Sequence, residues 1–189
     1  MGLWDDIVLL FTGKDVAILG PRGCGKTVLM SLLTTGDVAH DPEPTLGPTR
    51  TQGKRNRTIG LNIRKGVDFP GHERAYPDWE RQFKRSSIVF YLFDGHVLRT
   101  EPEYAARVQQ DARKLKEWGA STRKVLLLGT HADVDPLLAE LGPSKYSDLI
   151  LDQDAAVLLL GRTRARAAEV GSLKTTQDAL PMIKRLLSS

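Results

Sequence analysis

Residues 20–27 carry the side chains best suited to phosphate chemistry. They read GPRGCGKT and follow an apolar run that ends at Leu19. This is the spacing of a phosphate-binding loop, in which backbone N–H groups turn towards the phosphates and the helix that follows adds its positive end. In such a loop Lys26 neutralises the phosphates and the Thr27 hydroxyl binds Mg²⁺. The residues predicted to contact a nucleotide here are Arg22, Gly23, Cys24, Gly25, Lys26, Thr27 and Val28.

A second group of reactive side chains lies in residues 67–73, which read VDFPGHE. Asp68 ends an apolar strand pattern and is predicted to hold the metal, and Gly71 lets a backbone N–H approach the terminal phosphate. His72 is able to orient an attacking water. A histidine beside a glycine turn is also an ordinary surface residue, so both interpretations of His72 stay open.

Two further loops have the composition of a base-reading site. Residues 124–129 form a buried-strand pattern that runs into THAD at 130–133, where the Asp133 carboxylate can accept both N–H donors of guanine. A strand that ends in polar residues is equally an ordinary turn. Near the C-terminus a short strand at 167–171 precedes SLK. The residues predicted to contact the base are Thr130, His131, Asp133, Ser172, Leu173 and Lys174.

The elements that position these loops alternate along the chain. The pattern predicts an α/β fold, a doubly wound and mostly parallel six-stranded sheet flanked by helices. Within it we expect a strand at 87–94, a helix at 101–118, and a terminal helix from about Thr176. Residues 134–171 are predicted to hold a helix at 147–161, an extended loop and the short strand. A basic run, Arg162, Arg164 and Arg166, fits a solvated face, an acidic partner or lipid headgroups.

Composition limits the function classes. The 189 residues are 41% hydrophobic and 26% charged, and no stretch reaches the roughly 20 apolar residues of a membrane span. We therefore expect one domain, 1–189, in the cytoplasm. The single cysteine, Cys24, rules out an intramolecular disulfide. The net charge of +4 is modest and aromatic residues make up only 6%, so no nucleic-acid partner is expected.

Taken in order, GPRGCGKT, DFPGHE, THAD and SLK resemble the motifs of a Ras-superfamily small GTPase. The sequence is most similar to the Arf and Sar group, which includes the beta subunit of the signal-recognition-particle receptor. Residues 1–12 resemble the amphipathic N-terminal helix of that group. The second-switch residues GHE, with Trp79 behind them, and the Pro48 and Thr49 pair ahead of Asp68 are also similar.

The resemblance implies GTP or GDP with Mg²⁺ as cofactors and a slow GTP hydrolase that needs an activating partner. Its catalytic residues are then Lys26, Gly71 and His72, and its metal ligands are Thr27, Thr49 and Asp68. Thr45 and Thr51 compete with Thr49 for the switch role, and 44–47 is a competing first-switch segment.

Effector and regulatory proteins are expected to bind through switch segments near 44–58 and 68–82. The N-terminal helix is expected to contact a membrane surface or a partner, at a peripheral location.

Two residues depart from the pattern and motivate a rival hypothesis. His131 stands where the family usually has lysine, and Arg22 lies inside the phosphate loop. Arg22 either stabilises transition-state charge, obstructs an arginine from a partner, or points to solvent. The rival is a non-cycling nucleotide-binding interaction module, a pseudo-GTPase. A third hypothesis, an ATPase or small-molecule kinase, gives Asp133 and SLK no role.

Overall fold

A six-stranded sheet with helices on both faces forms the centre of the protein. The computed structural model describes residues 13–39 and 47–189, so the predicted N-terminal helix at 1–12 and the candidate Thr45 lie outside the described residues. The strands are β1 Lys14–Leu19, β2 Thr49–Asn56, β3 Leu61–Asp68, β4 Ile88–Asp94, β5 Lys124–Thr130 and β6 Ala167–Val170. The helices are α1 Lys26–Thr35, α2 Tyr76–Arg85, α3 Gly95–Thr100, α4 Pro102–Glu117, α5 Pro136–Leu151, α6 Asp154–Thr163 and α7 Thr176–Ser188.

The strand order β2-β3-β1-β4-β5-β6 places β1 near the middle of the sheet. Among the described strands only β2 and β3 pair antiparallel, and the other pairs are parallel. The chain passes from β1 to β3 on one side and then returns past β1 to β4 on the other. Ligands of such sheets bind at this reversal, beyond the carboxyl ends of the strands. The predicted fold class is confirmed.

Two apolar layers hold the helices on the sheet. Because side chains alternate along a strand, Ala17 and Leu19 of β1 point into one layer while Val16 and Ile18 point into the other. Helices α2, α4, α5 and α6 cover the first layer, and α1 and α7 cover the second. The central strands β4 and β5 are buried on both faces, which explains their continuous apolar sequences.

The segment between β5 and β6 differs from the sequence prediction. We expected a helix at 147–161 and an extended loop, but the structure has two helices, α5 and α6, that meet at residues 152–153. Helix α5 begins early because the Asp135 side chain caps it, accepting a hydrogen bond from the Leu137 N–H at 3.1 Å. Gly142 then adopts a non-helical conformation before Pro143, so a kink interrupts the periodicity. Within the described residues, no helix is both long and apolar enough to cross a bilayer.

A buried carboxylate joins α4 to the sheet and to α2. Asp111 accepts hydrogen bonds from Tyr91 OH of β4 at 2.7 Å, from Arg107 Nε at 2.9 Å, and from Tyr76 OH of α2. Burial raises the pKa of Asp111, and these donors oppose that rise. The Arg107 guanidinium also lies 5.2 Å from the centre of the Tyr76 ring. Asp111 thereby fixes the start of α2, which lies within the predicted second switch at 68–82.

Tyr91→Phe tests the contribution of this cluster to stability. The substitution keeps the ring in the core but removes one donor from the buried Asp111, so the free energy of unfolding should fall by about 1–3 kcal/mol. Chemical denaturation measures the change. Arg81→Ala is the control, because it removes an exposed pair with Asp78 and should cost under about 0.5 kcal/mol. Equal losses in both variants would contradict a structural role for Asp111.

Candidate nucleotide-binding site

The phosphate loop lies between β1 and α1, as its sequence predicts. Gly23 and Gly25 both have φ of 82°, a left-handed conformation that glycine adopts without strain, and Gly25 forms the start of α1. Lys26 is buried, and its Nζ donates to the Pro21 carbonyl at 2.6 Å. The ammonium therefore lies over the loop that it follows. Arg22 is exposed and forms no ion pair with any described residue, so the structure gives it no fixed role.

The Thr27 hydroxyl connects the phosphate loop to β3. It donates to Asp68 Oδ2 at 2.7 Å, and Asp68 is almost completely buried at the carboxyl end of its strand. The two residues are 41 positions apart in the sequence. A hydroxyl and a carboxylate are oxygen ligands of the kind that Mg²⁺ prefers, and in nucleotide sites the phosphates supply the rest. The residues present thus fit the predicted metal.

Gly71 packs directly on the phosphate loop. A Cβ at this position would lie 2.2 Å from Arg22 N and 2.3 Å from the Pro21 carbonyl carbon, so no side chain fits there. The preceding carbonyl, Pro70 O, accepts a hydrogen bond from Trp79 Nε1 at 3.1 Å. The fully buried Trp79 therefore ties the segment after Asp68 to helix α2.

The remaining predicted residues near this edge differ in their placement. Thr49 is the first residue of β2 and pairs with Asp68. Thr51 lies two residues further along β2, on the same face of the sheet, and pairs with Gly66. His72 is exposed at the start of a 3-10 turn at Glu73–Ala75. Among the described threonines of the first switch, Thr49 is the one in register with the predicted metal ligand.

Thr130 joins the predicted base-reading loop, residues 130–133, to the phosphate loop. We call residues 130–133 the base loop. Its hydroxyl is buried at the end of β5 and lies 3.2 Å from both the Cys24 carbonyl and the Phe93 carbonyl. The hydroxyl oxygen also lies 3.0 Å from His131 Nδ1. One side chain thus reaches the phosphate loop, β4 and the base loop.

His131 is bound to an acidic residue that the sequence analysis did not single out. Its Nδ1 lies 3.0 Å from Asp94 Oδ2, and its backbone has φ of 59°, one of two positive values among the described non-glycine residues. The hydrogen bond with Asp94 raises the pKa of His131, while partial burial opposes it. Asp94 also caps α3 by accepting from the Val97 N–H at 2.9 Å.

The predicted base-contacting residues converge on the same edge. Lys174 Nζ lies 3.9 Å from Asp133 Oδ2, and the Ala132 N–H donates to the Gly171 carbonyl at 3.2 Å. Leu173 is buried, and its Cδ1 lies 3.1 Å from where a Cβ on Gly25 would be. The Ser172 hydroxyl accepts a hydrogen bond from the Lys174 N–H at 3.0 Å.

The acid that follows the base loop, Asp135, is buried and holds several neighbouring side chains. Burial alone would raise the pKa of Asp135, but the Leu137 N–H, His96, Arg99 and Tyr146 donate to its carboxylate and lower the pKa to about 2. Arg99 Nη2 lies 3.0 Å from both of its oxygens.

Asp94 and Asp135 both follow an available sequence signal. Asp94 ends an apolar strand ahead of Gly95, and Asp135 precedes Pro136 at a helix start. Neither pattern predicts which distant residue each acid would bind.

The comparisons with known proteins agree with this geometry. No family model matches the chain. Among curated proteins, ADP-ribosylation factor-like protein 8c of Arabidopsis thaliana is 33% identical over 102 residues, which are 50% of this chain and 53% of the relative. ADP-ribosylation factor-like protein 8b of the same plant is 31% identical over 101 residues. Over about half of its length the chain is thus similar to ADP-ribosylation factor-like proteins.

The chain spans about half the length of the curated relatives it matches. Among solved structures, one titled as the structure of the mammalian SRP receptor aligns with a TM-score of 0.65 at 19% identity, covering 92% of this chain and 98% of that chain. A bacterial selenocysteine-specific elongation factor, EF-Sec, aligns with a TM-score of 0.59 at 18% identity, covering 92% of this chain and 28% of that one. These likenesses show the fold. The resemblance inferred from the motifs is confirmed.

Gly71→Ala tests the close approach of the second switch to the phosphate loop. The new methyl group would meet backbone atoms of Pro21 and Arg22, so the segment must move away, at a cost of about 1–3 kcal/mol in unfolding free energy. The movement should also shift the Trp79 indole N–H resonance, because that group is bonded to Pro70. Gly161→Ala is the control, since its methyl group enters open space. An unchanged indole resonance in Gly71→Ala would contradict the contact.

Asp94→Asn tests the acid that holds the base loop. Without the carboxylate, the pKa of His131 should fall, because only the charge of Asp133 then opposes the effect of burial. A raised folded-state pKa means that the pair's contribution to stability is complete below the unfolded value of about 6.5 and is lost as pH rises through the folded-state pKa. Imidazole NMR titration measures the shift. Asp133→Asn should move the His131 pKa less, because Asp133 acts on the ring through charge without a hydrogen bond.

Proposed function

We propose that this chain is a GTP-binding molecular switch with a slow GTP hydrolase activity, formed by one domain over 1–189. The observation that carries the proposal is the convergence of the Thr27 to Asp68 hydrogen bond with the approach of Gly71 to Arg22. Two motifs that are distant in the sequence meet at the carboxyl edge of the sheet, where nucleotides bind in folds of this kind. The relationship to Arf-like small GTPases supports a guanine nucleotide as the ligand.

Each residue around the phosphates has a distinct part in the proposal. The backbone N–H groups of 22–27 bind the phosphates, and the Lys26 ammonium leaves the Pro21 carbonyl to neutralise them. Thr27 and Asp68, with Thr49 from the first switch, are the residues proposed to hold Mg²⁺. When bound, that ion would neutralise charge on the phosphates. Closure of Thr49 on the terminal phosphate would order the first switch.

The Gly71 contact supports a conformational response to the terminal phosphate. In the structure Gly71 occupies the space beside Arg22 N, one of the backbone donors that are proposed to bind the phosphates. A phosphate binding at these donors would displace the 70–73 segment, and the Pro70 to Trp79 hydrogen bond would transmit the shift to α2. Effector and regulatory proteins are proposed to recognise the switches near 44–58 and 68–82 in this changed position.

Hydrolysis in the proposal depends on water placed by His72. The ring is exposed and lies next to Gly71, so it can turn towards water at the terminal phosphate. Turnover is proposed to be slow, and an activating partner that supplies positive charge at the terminal phosphate is expected to raise it. Peripheral membrane or partner contact by residues 1–12, at a cytoplasmic location, stays a prediction.

The base loop supports guanine specificity through Asp133. Its carboxylate lies at the mouth of the site, 3.9 Å from Lys174, and Thr130 holds the loop in place against Cys24. A carboxylate can accept the ring N–H and the amino group of guanine together, whereas adenine offers no such pair of donors. This argues against the ATPase or kinase hypothesis.

A second candidate, the non-cycling nucleotide-binding module, is favoured by one observation. His131 is held by Asp94 on the side of the loop that faces α3, so the ring is committed to a bond within the protein. Lasting retention of a single nucleotide, with no phosphate released from bound GTP over hours, would favour this module over the switch.

Asp133→Asn provides the decisive test of base recognition. The amide loses the charge that accepts from guanine, so GTP affinity should fall about 10–100-fold, while XTP affinity should rise because the amide can donate to the xanthine carbonyl. Isothermal titration of nucleotide-stripped protein with GTP, GDP, ATP and XTP in Mg²⁺ measures both changes. Loss of both GTP and XTP binding would indicate damage to the fold, and an unchanged GTP affinity would refute the proposed role.

Lys26→Ala should abolish binding of all four nucleotides.

A further inference from the structure

A pocket separate from the proposed nucleotide site lies between helices α4 and α6. We call it the α4–α6 pocket; its volume is about 450 Å³ and its lining residues are Lys116, Val157, Leu158, Gly161, Arg162 and Arg164. Helix α4 ends just before β5 begins, and α6 ends just before β6. The pocket therefore opens at the amino-terminal edge of the sheet, opposite the edge that carries the phosphate loop.

The floor of the pocket is apolar and accessible. Val157 is 52% exposed, which makes it one of a few large apolar side chains exposed among the described residues. Leu158 is half-buried beside it, and Gly161 leaves open space where a side chain would stand. An accessible apolar floor of this size is typical of a site that receives a side chain from another molecule.

The rim of the pocket carries three cations that have no partner within the described residues. Lys116, Arg162 and Arg164 are exposed and form no ion pair or side-chain hydrogen bond there. Nearby on α4, by contrast, Lys114 pairs with Glu117 at 2.8 Å. Cations at the ends of helices offset the helix dipole, which accounts for part of this charge.

The helix dipole alone does not account for an arginine at position 164. It follows the last residue of α6 with φ of 50° and ψ of 48°, in the left-handed region where helices usually end in glycine. A side chain at such a position strains the backbone, and within the described residues the Arg164 side chain forms no hydrogen bond or ion pair that compensates for the strain. The strained backbone of Arg164 therefore lies at a position where its side chain adds positive charge to the rim of the pocket.

We propose that the α4–α6 pocket docks an acidic segment of a partner protein. One apolar side chain of the segment packs on Val157 and Leu158, and carboxylates on either side pair with the three cations. Arginine suits this role because its guanidinium binds a carboxylate through two parallel hydrogen bonds. The concave shape and the apolar floor favour a protruding side chain over the flat surface of a lipid bilayer.

Fluorescence anisotropy with two short labelled peptides tests the proposal. One peptide carries a leucine between glutamates, and the other has serine in place of the leucine. The leucine peptide should bind more tightly, and its addition should shift backbone NMR signals of 157–164 and of Lys116. Failure of the leucine peptide to bind at millimolar concentration, or shifts confined to other surfaces, would overturn the proposal.

Three variants separate charge, shape and strain. Arg162→Glu should weaken binding of the leucine peptide at least tenfold, whereas Lys65→Glu, the same charge change at an exposed position of β3 outside both switches, should not. Gly161→Leu should also weaken it, because the new side chain fills the pocket. Arg164→Gly should weaken binding and raise the thermal midpoint together, since glycine relieves the strained backbone. Circular dichroism checks that each variant is folded.

A lipid alternative is distinguished in the same experiment. Phosphatidylcholine vesicles with and without phosphatidylserine are mixed with the protein and its Arg162→Glu variant. Equal weakening of peptide binding by Lys65→Glu would show unspecific attraction and overturn the proposal. Vesicle binding that Arg162→Glu abolishes, combined with no preference for the leucine peptide, would overturn it in favour of a membrane surface.

Discussion

The site depends on one buried hydroxyl group. Thr130 lies at the end of β5, and its oxygen is within 3.2 Å of carbonyls in the phosphate loop and in β4. Because the group is shielded from water, losing these contacts would leave polar atoms of the core unpaired. The positions of the loops that are proposed to hold phosphate and base are therefore linked. A short side chain is enough to reach the Phe93 carbonyl because β4 is the strand that pairs with β5.

Around this hydroxyl, three acids fix the surrounding helices. Asp94 holds His131 and the start of α3, Asp111 holds α2 and α4, and Asp135 holds the start of α5. Each carboxylate accepts from donors on at least two elements, so the helices are positioned by directional contacts as well as by apolar packing. Buried charge in these places is costly unless every acceptor is satisfied. That requirement makes the geometry of the carboxyl edge specific.

The sequence was sufficient for the parts of the fold that depend on local patterns. Apolar runs predicted β4 and β5 within a residue, and the four motifs fall in loops at the carboxyl ends of the strands because parallel strands place their ends together. It was insufficient where the outcome depends on residues that are distant in the sequence. The pairing of Asp94 with His131 spans 37 positions, and neither residue type predicts the other. The choice of Thr49 over Thr51 came from strand register, and the boundary between α5 and α6 was obscured by the kink at Gly142.

Cys24 has a practical consequence for work with this protein. It is the only cysteine in the chain, it is completely buried in the phosphate loop, and its Sγ donates to the Pro21 carbonyl at 3.0 Å. Burial raises the pKa of the Cys24 thiol to about 11, so the reactive thiolate is scarce at neutral pH. Maleimide dyes will react slowly with the native chain. A cysteine introduced on the surface can therefore be labelled selectively, without first replacing a residue of the phosphate loop.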